Sequence, residues 1–322
     1  MTEVARQIEP VKADDRLPYD RLCHCDDREK WLEQRKDGIG ASESAAIMGM
    51  SPHLSEYTLY QQRVGGIPAP KDNEHNRYMV WGNRLEPIIA AAYAEDTGRE
   101  IFRNGWLCRS KRYPWLLATP DYDQVDHEHG HGLLECKNTG ESYADDWEEH
   151  IPPKFQCQLQ HQLLVVGLTW GSVACLIGGN DDRYGNLAAH ERFQAALARK
   201  TERFVKMLHG ELPPPEPDAH PSTSETLARM VENGKAVKLP DVALYWHQEQ
   251  VKYAKMEREA KDRKREYEAL IKAAIGTATF GVLPGDNGVY KFKTVNQPEK
   301  IMPASSKRQL RHLKRMPKET KK

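Results

Sequence analysis

The sequence predicts an α/β fold, a central mixed β-sheet flanked by helices, with an α-rich C-terminal extension. Three observations predict it. Leu85, Ile88, Ile89, Ala92 and Tyr93 recur at helical spacing ahead of a stop at Gly98. Beyond Gly98 come short apolar segments, IFRNGWLCRS, WLLATPDYDQVD and HGLLECKNT, punctuated by Gly, Pro and Asp in the manner of strands. After the Pro-rich stretch ELPPPEPDAHPSTSE, residues 241–275 alternate charges densely, as a long helix does.

Composition sets the class. The chain has 322 residues, 39% hydrophobic and 29% charged, with a formal net charge of zero. That suits a globular core of one large domain with appendages, or two modest domains. A uniformly sticky polycation is excluded, although the last forty or so residues are basic (Lys307, Arg308, Arg311, Lys314, Arg315 and beyond). No run of about 18 apolar residues predicts a membrane span. The start, MTEVARQIEPVKADD, has no apolar signal core, so a cytoplasmic protein is expected. The six cysteines form no Cys-x-x-Cys pair and read as free, mostly buried thiols.

Taken in order, residues 1–27 are polar and aperiodic and predict a flexible N-terminal arm. A helix begins near Asp27 and carries Trp31, Leu32 and Arg35. Ser42 is read as the N-cap of the next helix, which stops at Gly49 and Pro52. Leu59, Tyr60 and Val64 mark another, ended by Gly65-Gly66. Residues 152–166 return to helix, VACLIGG to strand, and AAHERFQAALARKTERFVKMLHG to a long helix. The resulting boundaries are a main domain over 28–210, a linker over 211–222, a helical extension with a hairpin over 223–303, and a basic tail over 304–322. In the extension, Ser222-x-x-Glu225 reads as a capping box. The 241–275 helix is expected to bury one face, against the preceding helix or between subunits. FGVLPGDNGVYKFKTV reads as a hairpin with Asn287-Gly288 in its turn.

The chemistry concentrates at Pro120-Asp121 and Glu135-Cys136-Lys137. Strand side chains alternate with period two, so Glu135 and Lys137 share a face while Cys136 points to the core. Asp121 meets them if its segment pairs with theirs as a hairpin. Two carboxylates and a backbone carbonyl are the oxygen donors that Mg²⁺ prefers. A lysine beside such a cation has its ammonium form disfavoured and is suited to orient a water or take its proton. Alone, the triplet is equally compatible with a turn aspartate and two solvated strand positions.

Its neighbours make it specific. The triplet resembles the PD-(D/E)xK nuclease signature. Together with WLEQRKDGIGASE, WGNRLEPIIAAAYAEDTG and QCQLQHQLLVVG, in that order, it resembles the phage lambda exonuclease / YqaJ-like viral recombinase family over roughly residues 28–210. The resemblance implies a restriction-endonuclease-like core. It implies that Asp121, Glu135 and the Cys136 carbonyl hold Mg²⁺, with Mn²⁺ substituting, and that Glu86 serves a second ion. It implies that Lys137 assists the attacking water, and that Gln158, or alternatively Gln160, orients the nucleophile. Arg35 and Ser42 are implied to hold a terminal 5′-phosphate, in keeping with the anion preference of helix N-termini and arginine. The implied activity is 5′-to-3′ digestion of double-stranded DNA to mononucleotides, leaving 3′ overhangs. The implied partners are a single-strand DNA annealing protein and further subunits in a toroidal trimer, with no membrane.

Two further readings remain beside it, an endonuclease on the same fold and a non-catalytic DNA-binding scaffold. Cys23-His24-Cys25 and His127-x-His129-x-His131 lack the usual spacing of a zinc site. The basic tail is compatible with phosphate binding and with a disordered, solubilising end.

Overall fold

The computed structural model describes residues 16–67, 77–230 and 236–292. The chain divides into two compact units, one reaching to Met230 and one beginning at Val231.

The first unit opens with β1 (Tyr19–His24), α1 (Arg28–Arg35), β2 (Ile39–Gly40), α2 (Ala41–Ile47) and α3 (Glu56–Arg63). It continues through α4 (Arg77–Thr97), β3 (Glu100–Arg103), β4 (Trp106–Ser110), β5 (Leu116–Ala118), β6 (Tyr122–Asp126) and β7 (Gly130–Thr139). It ends with α5 (Pro153–Val166), β8 (Trp170–Ile177), β9 (Asp181–Ala188), α6 (Glu191–Leu208) and α7 (Pro221–Arg229). The main sheet runs β3-β6-β7-β8-β9, mixed because β7 and β8 are parallel and the rest antiparallel. A parallel step needs a crossover, and α5 supplies it. Pro at its first position and left-handed Gly167 at its end fix where α5 starts and stops. A smaller sheet runs β1-β4-β5-β2.

The core follows from alternation along β7. Leu134 and Cys136 face α4, packing with Ile89, Ala90 and Tyr93. Leu133, on the opposite face, joins the cluster that holds Cys157, Leu159 and Leu163 of α5. Helices therefore cover the sheet from both sides, as the sequence predicts.

Several local expectations are corrected. Residues 19–24 are not part of a loose arm; they pair antiparallel with β4, which supplies the hydrogen-bonding edge that their polar sequence does not advertise. The N-cap of α2 is Gly40, whose N–H is held by the Glu43 carboxylate at 2.8 Å. Ser42 lies inside the helix. β9, polar and alternately exposed, is an edge strand with no strong apolar signal. At α7 the cap is His220, not Ser222, because the His220 ring accepts from the Ser222 N–H at 3.1 Å. α7 docks on α3 through hydroxyls. Ser55 meets Thr223 at 2.7 Å and Thr58 meets Thr226 at 3.0 Å.

The second unit comprises α8 (Val242–Ile275) and an antiparallel pair, β10 (Phe280–Val282) and β11 (Val289–Lys291). Asn287-Gly288 ends the connection of this hairpin, after a 3-10 turn at Pro284–Asp286. α8 has no buried residue, contrary to the expected buried face. The basic tail lies outside the described residues, as does the first part of the N-terminal arm. Among the described residues no helix is long and apolar enough to cross a membrane.

Candidate active site

Asp121 sits where the chain passes from β5 into β6. Its main chain is gripped by the turn between β3 and β4: Asn104 N–H donates to the Asp121 carbonyl and Gly105 N–H to that of Pro120, both at 2.9 Å. Gly105 is required there. Its φ is +70°, and a Cβ would come within 2.9 Å of the His24 ring and the Cys25 sulfur. The Asp121 carboxylate accepts the Cys136 N–H at 2.9 Å. The expected hairpin is formed, with Tyr122 opposite Leu134.

Glu135 is the node. It is a buried carboxylate in the central strand. One oxygen accepts Gln158 at 2.5 Å and the Lys137 ammonium, and the other accepts Gln162 at 2.6 Å. Gln158 and Gln162 are one helical turn apart and share a face of α5. Gln160 faces elsewhere, bonding the Ala188 carbonyl at 2.7 Å and the His190 N–H at 2.9 Å. Between the two glutamines left open by the sequence, Gln158 is the one that reaches Glu135. The Lys137 ammonium lies 5.6 Å from the centre of the Phe155 ring.

The charges are unbalanced. Burial, then the charge of Glu135, raises the Asp121 carboxyl well above its ordinary range. Glu86 of α4 is raised by burial and again by Glu135. Burial works against the Lys137 ammonium, but Glu135 and Asp121 outweigh it and hold its pKa above the usual value. Without a dication, the like-charge effect expected on Lys137 is therefore reversed in sign. Three carboxyl groups thus crowd one ammonium, and all the donors are hard oxygens. This set fits a divalent cation of the Mg²⁺ class. The Cys136 thiol is buried in the cluster under α4 and is raised by desolvation, then by the charges of Asp121, Glu135 and Glu86.

Arg35 and Ser42 form a second patch. Arg35 donates to the Ser42 hydroxyl at 2.7 Å and lies over the Trp31 ring, 4.9 Å from its centre. Arg28 also lies over that ring, at 4.6 Å. The Trp31 indole N–H donates to the Thr119 hydroxyl at 3.0 Å, two residues before Asp121. From the other side, the Cys157 thiol meets the Ser44 hydroxyl at 3.5 Å, one residue before Gln158.

Residues 30–169 match the family model of the YqaJ-like viral recombinase domain. The chain is 26% identical over 272 residues to the uncharacterized protein YqaJ of Bacillus subtilis (strain 168), covering 82% of this chain and 83% of that one. Among solved structures it is similar to an alkaline exonuclease from Laribacter hongkongensis, with 20% identity, 57% of this chain and 93% of that one covered, and a TM-score of 0.45. A phage-related exonuclease from Haemophilus somnus 129PT aligns at 11% identity over 54% of this chain and 96% of its own, with a TM-score of 0.41.

The matched span, residues 30–169, contains Arg35, Ser42, Glu86, Asp121, Glu135, Lys137 and Gln158. Sequence reasoning missed two of its features. Gln162 follows Gln158 by four positions, and that spacing was the available signal. The charge of Arg103 partly offsets the rise of the Glu86 carboxyl, and Arg103 also donates to Asp26 at 2.9 Å. Nothing local in the sequence joins residues 26, 86 and 103. Ligand atoms of His24, Cys25 and Asp26 also converge. Cys23 is not one of that set; it is buried with Trp31, Leu107 and Leu117. His129 and His131 bond to different carboxylates, those of Asp126 and Asp123.

Proposed function

We propose that this chain is a Mg²⁺-dependent exonuclease that digests double-stranded DNA from 5′-phosphorylated ends, releasing 5′-mononucleotides and leaving 3′ overhangs. The observation that carries the reading is the convergence of Lys137, Gln158 and Gln162 on the one buried carboxylate of Glu135, with Asp121 held beside it by the Cys136 N–H. A purely structural glutamate would need one neutralising partner. Here a second and a third carboxyl group lie beside it, and both are raised above their ordinary range. The match to a viral recombinase domain supports a role in phage-type recombination.

In this reading Asp121, Glu135 and the Cys136 carbonyl hold one Mg²⁺, and Glu86 contributes to a second; Mn²⁺ substitutes. A cation held there would supply a charge to polarise the scissile phosphate and to acidify a water. The chain's own groups do the rest. Gln158 and Gln162 fix both oxygens of Glu135, so the carboxylate is pre-oriented. Lys137 is held by Glu135 and Phe155 where it can position the attacking water and hold its proton. Arg35 and Ser42 grip the terminal phosphate, the guanidinium supplying paired donors. A single-strand annealing protein and a toroidal trimer are proposed as its partners and assembly.

Digestion of linear duplex tests this. With Mg²⁺, 5′-phosphorylated ends are digested, 5′-hydroxyl ends much more slowly, and closed circles not at all. Chelator stops the reaction. Cutting of closed circles would instead mark an endonuclease. No digestion of any of the three substrates in Mg²⁺ or Mn²⁺ would leave a DNA-binding scaffold.

A further inference from the structure

α8 is a 34-residue helix with no buried residue. Helices in proteins owe most of their stability to burying an apolar face rather than to propensity. Six of its nine exposed large apolar side chains share one line; Leu244, Tyr245 and Val251 lie off it. Val242, Trp246, Tyr253, Met256, Tyr267 and Leu270 fall on one seam of alternating three- and four-residue steps, and are 48% to 61% exposed. Ala260 and Ala274 fill two more seam positions, and Glu249 and Arg263 the other two. A heptad seam of this length is the surface of a coiled coil.

We propose that α8 pairs with α8 of a second copy of this chain as an antiparallel two-stranded coiled coil. Charge decides both the partner and the direction. In a parallel, in-register pair each seam residue meets its own counterpart. Glu249 would be buried against Glu249, and Arg263 against Arg263, at a desolvation cost with no compensating attraction. Running antiparallel with Tyr253 opposite Met256, the layers become Val242 with Tyr267, Trp246 with Arg263, and Glu249 with Ala260 of the other copy. Arg263 then lies on the indole of the second Trp246. Glu249 has a small residue opposite it and the second copy's Arg263 in the adjoining layer. On the flanks, Lys252 faces Glu259 and Gln250 faces Glu257, and no like charges meet. Glu249 and Arg263 at present pair along their own helix, with Lys252 at 3.1 Å and Glu266 at 3.7 Å. These are solvent-exposed pairs of the weak kind, so little opposes the exchange. The pairing uses nothing from the nuclease site and stands or falls separately from it.

Light scattering on the full-length chain tests the proposal. The double variant Tyr253→Glu/Met256→Glu should halve the mass of the assembly. Val251→Glu, equally exposed but off the seam, should leave it unchanged. Glu249→Arg and Arg263→Glu should each weaken association by about tenfold, and the two together should recover most of the loss. A wild-type mass of one chain, or a seam variant of unchanged mass, overturns the pairing. A double charge variant no better than the singles overturns its antiparallel direction.

Discussion

At the scale of single residues, Glu135 is the point on which the site turns. Its two oxygens are engaged by different helical positions, so the partners can be tested separately. Lys137→Ala should lower the rate of duplex digestion by about 10³-fold, within the range of a lost proton-handling group. Gln162→Leu leaves one carboxylate oxygen free to rotate and should cost roughly 10–100-fold in metal affinity or rate, read from a Mg²⁺ titration. Retention of full activity by Lys137→Ala would remove it from the chemistry. Asp121 and Glu86 make a pH prediction. Their folded pKa values lie above their ordinary ones. The metal-free fold is therefore favoured at low pH and loses stability as pH rises through that window. A Mg²⁺ ion bound there would have to displace those protons, so the Tm gain on adding it should be larger at about pH 8 than at about pH 5. Asp121→Asn should raise the metal-free Tm by a few degrees while abolishing digestion. The Glu135–Lys137 pairing was legible in the sequence because strand alternation has one period. Gln162 was not, because helical spacing reveals a shared face without revealing what that face meets.

At the scale of elements, α5 joins the two sheets. His161 points from it to the Leu117 carbonyl of β5 at 3.1 Å and is fully buried, which lowers its pKa to about 4. A histidine depressed in the fold opposes folding once the unfolded chain protonates. Stability should fall as pH drops from 6.5 toward 4, by roughly 3 kcal/mol from this residue. His161→Gln should remove that part of the slope in denaturant titrations; an unchanged slope would assign the acid lability to other groups. The hydroxyl cluster between α3 and α7 makes a second element-level prediction. Ser55 caps α3 at the Thr58 N–H and also reaches Thr223. Ser55→Ala should cost about 1–2 kcal/mol of unfolding free energy. Helix ends marked by Asp27, Pro153 and Gly167 were readable because each signal is local. β1 and β9 were not, since an edge strand takes its order from a neighbour. Likewise α7 reads as the start of a separate extension until its serine and threonine hydroxyls are seen against α3.

At the scale of the whole molecule, the main domain was legible, and so were the long helix and the hairpin beyond it, but not what covers that helix. The four ordered sequence blocks all fall within one compact unit, where Asp121, Glu135 and Gln158 converge across long stretches of chain. The second unit offered only charge and periodicity. Those two signals specify a helix and a seam, but the covering surface belongs to nothing in the described chain.

The tie from Trp31 to Thr119, with the contact from Ser44 to Cys157, has one more consequence. The arginine patch and the carboxylate cluster are braced to the same frame from two sides, through an indole and through a helix. A terminal phosphate seated at Arg35 would therefore meet the cutting groups at a set spacing. The molecule would act as a gauge, and the length of the released fragment would be constant along any duplex, whatever its sequence. Trp31→Ala should blur that gauge, producing fragments of mixed length before it reduces the total cut.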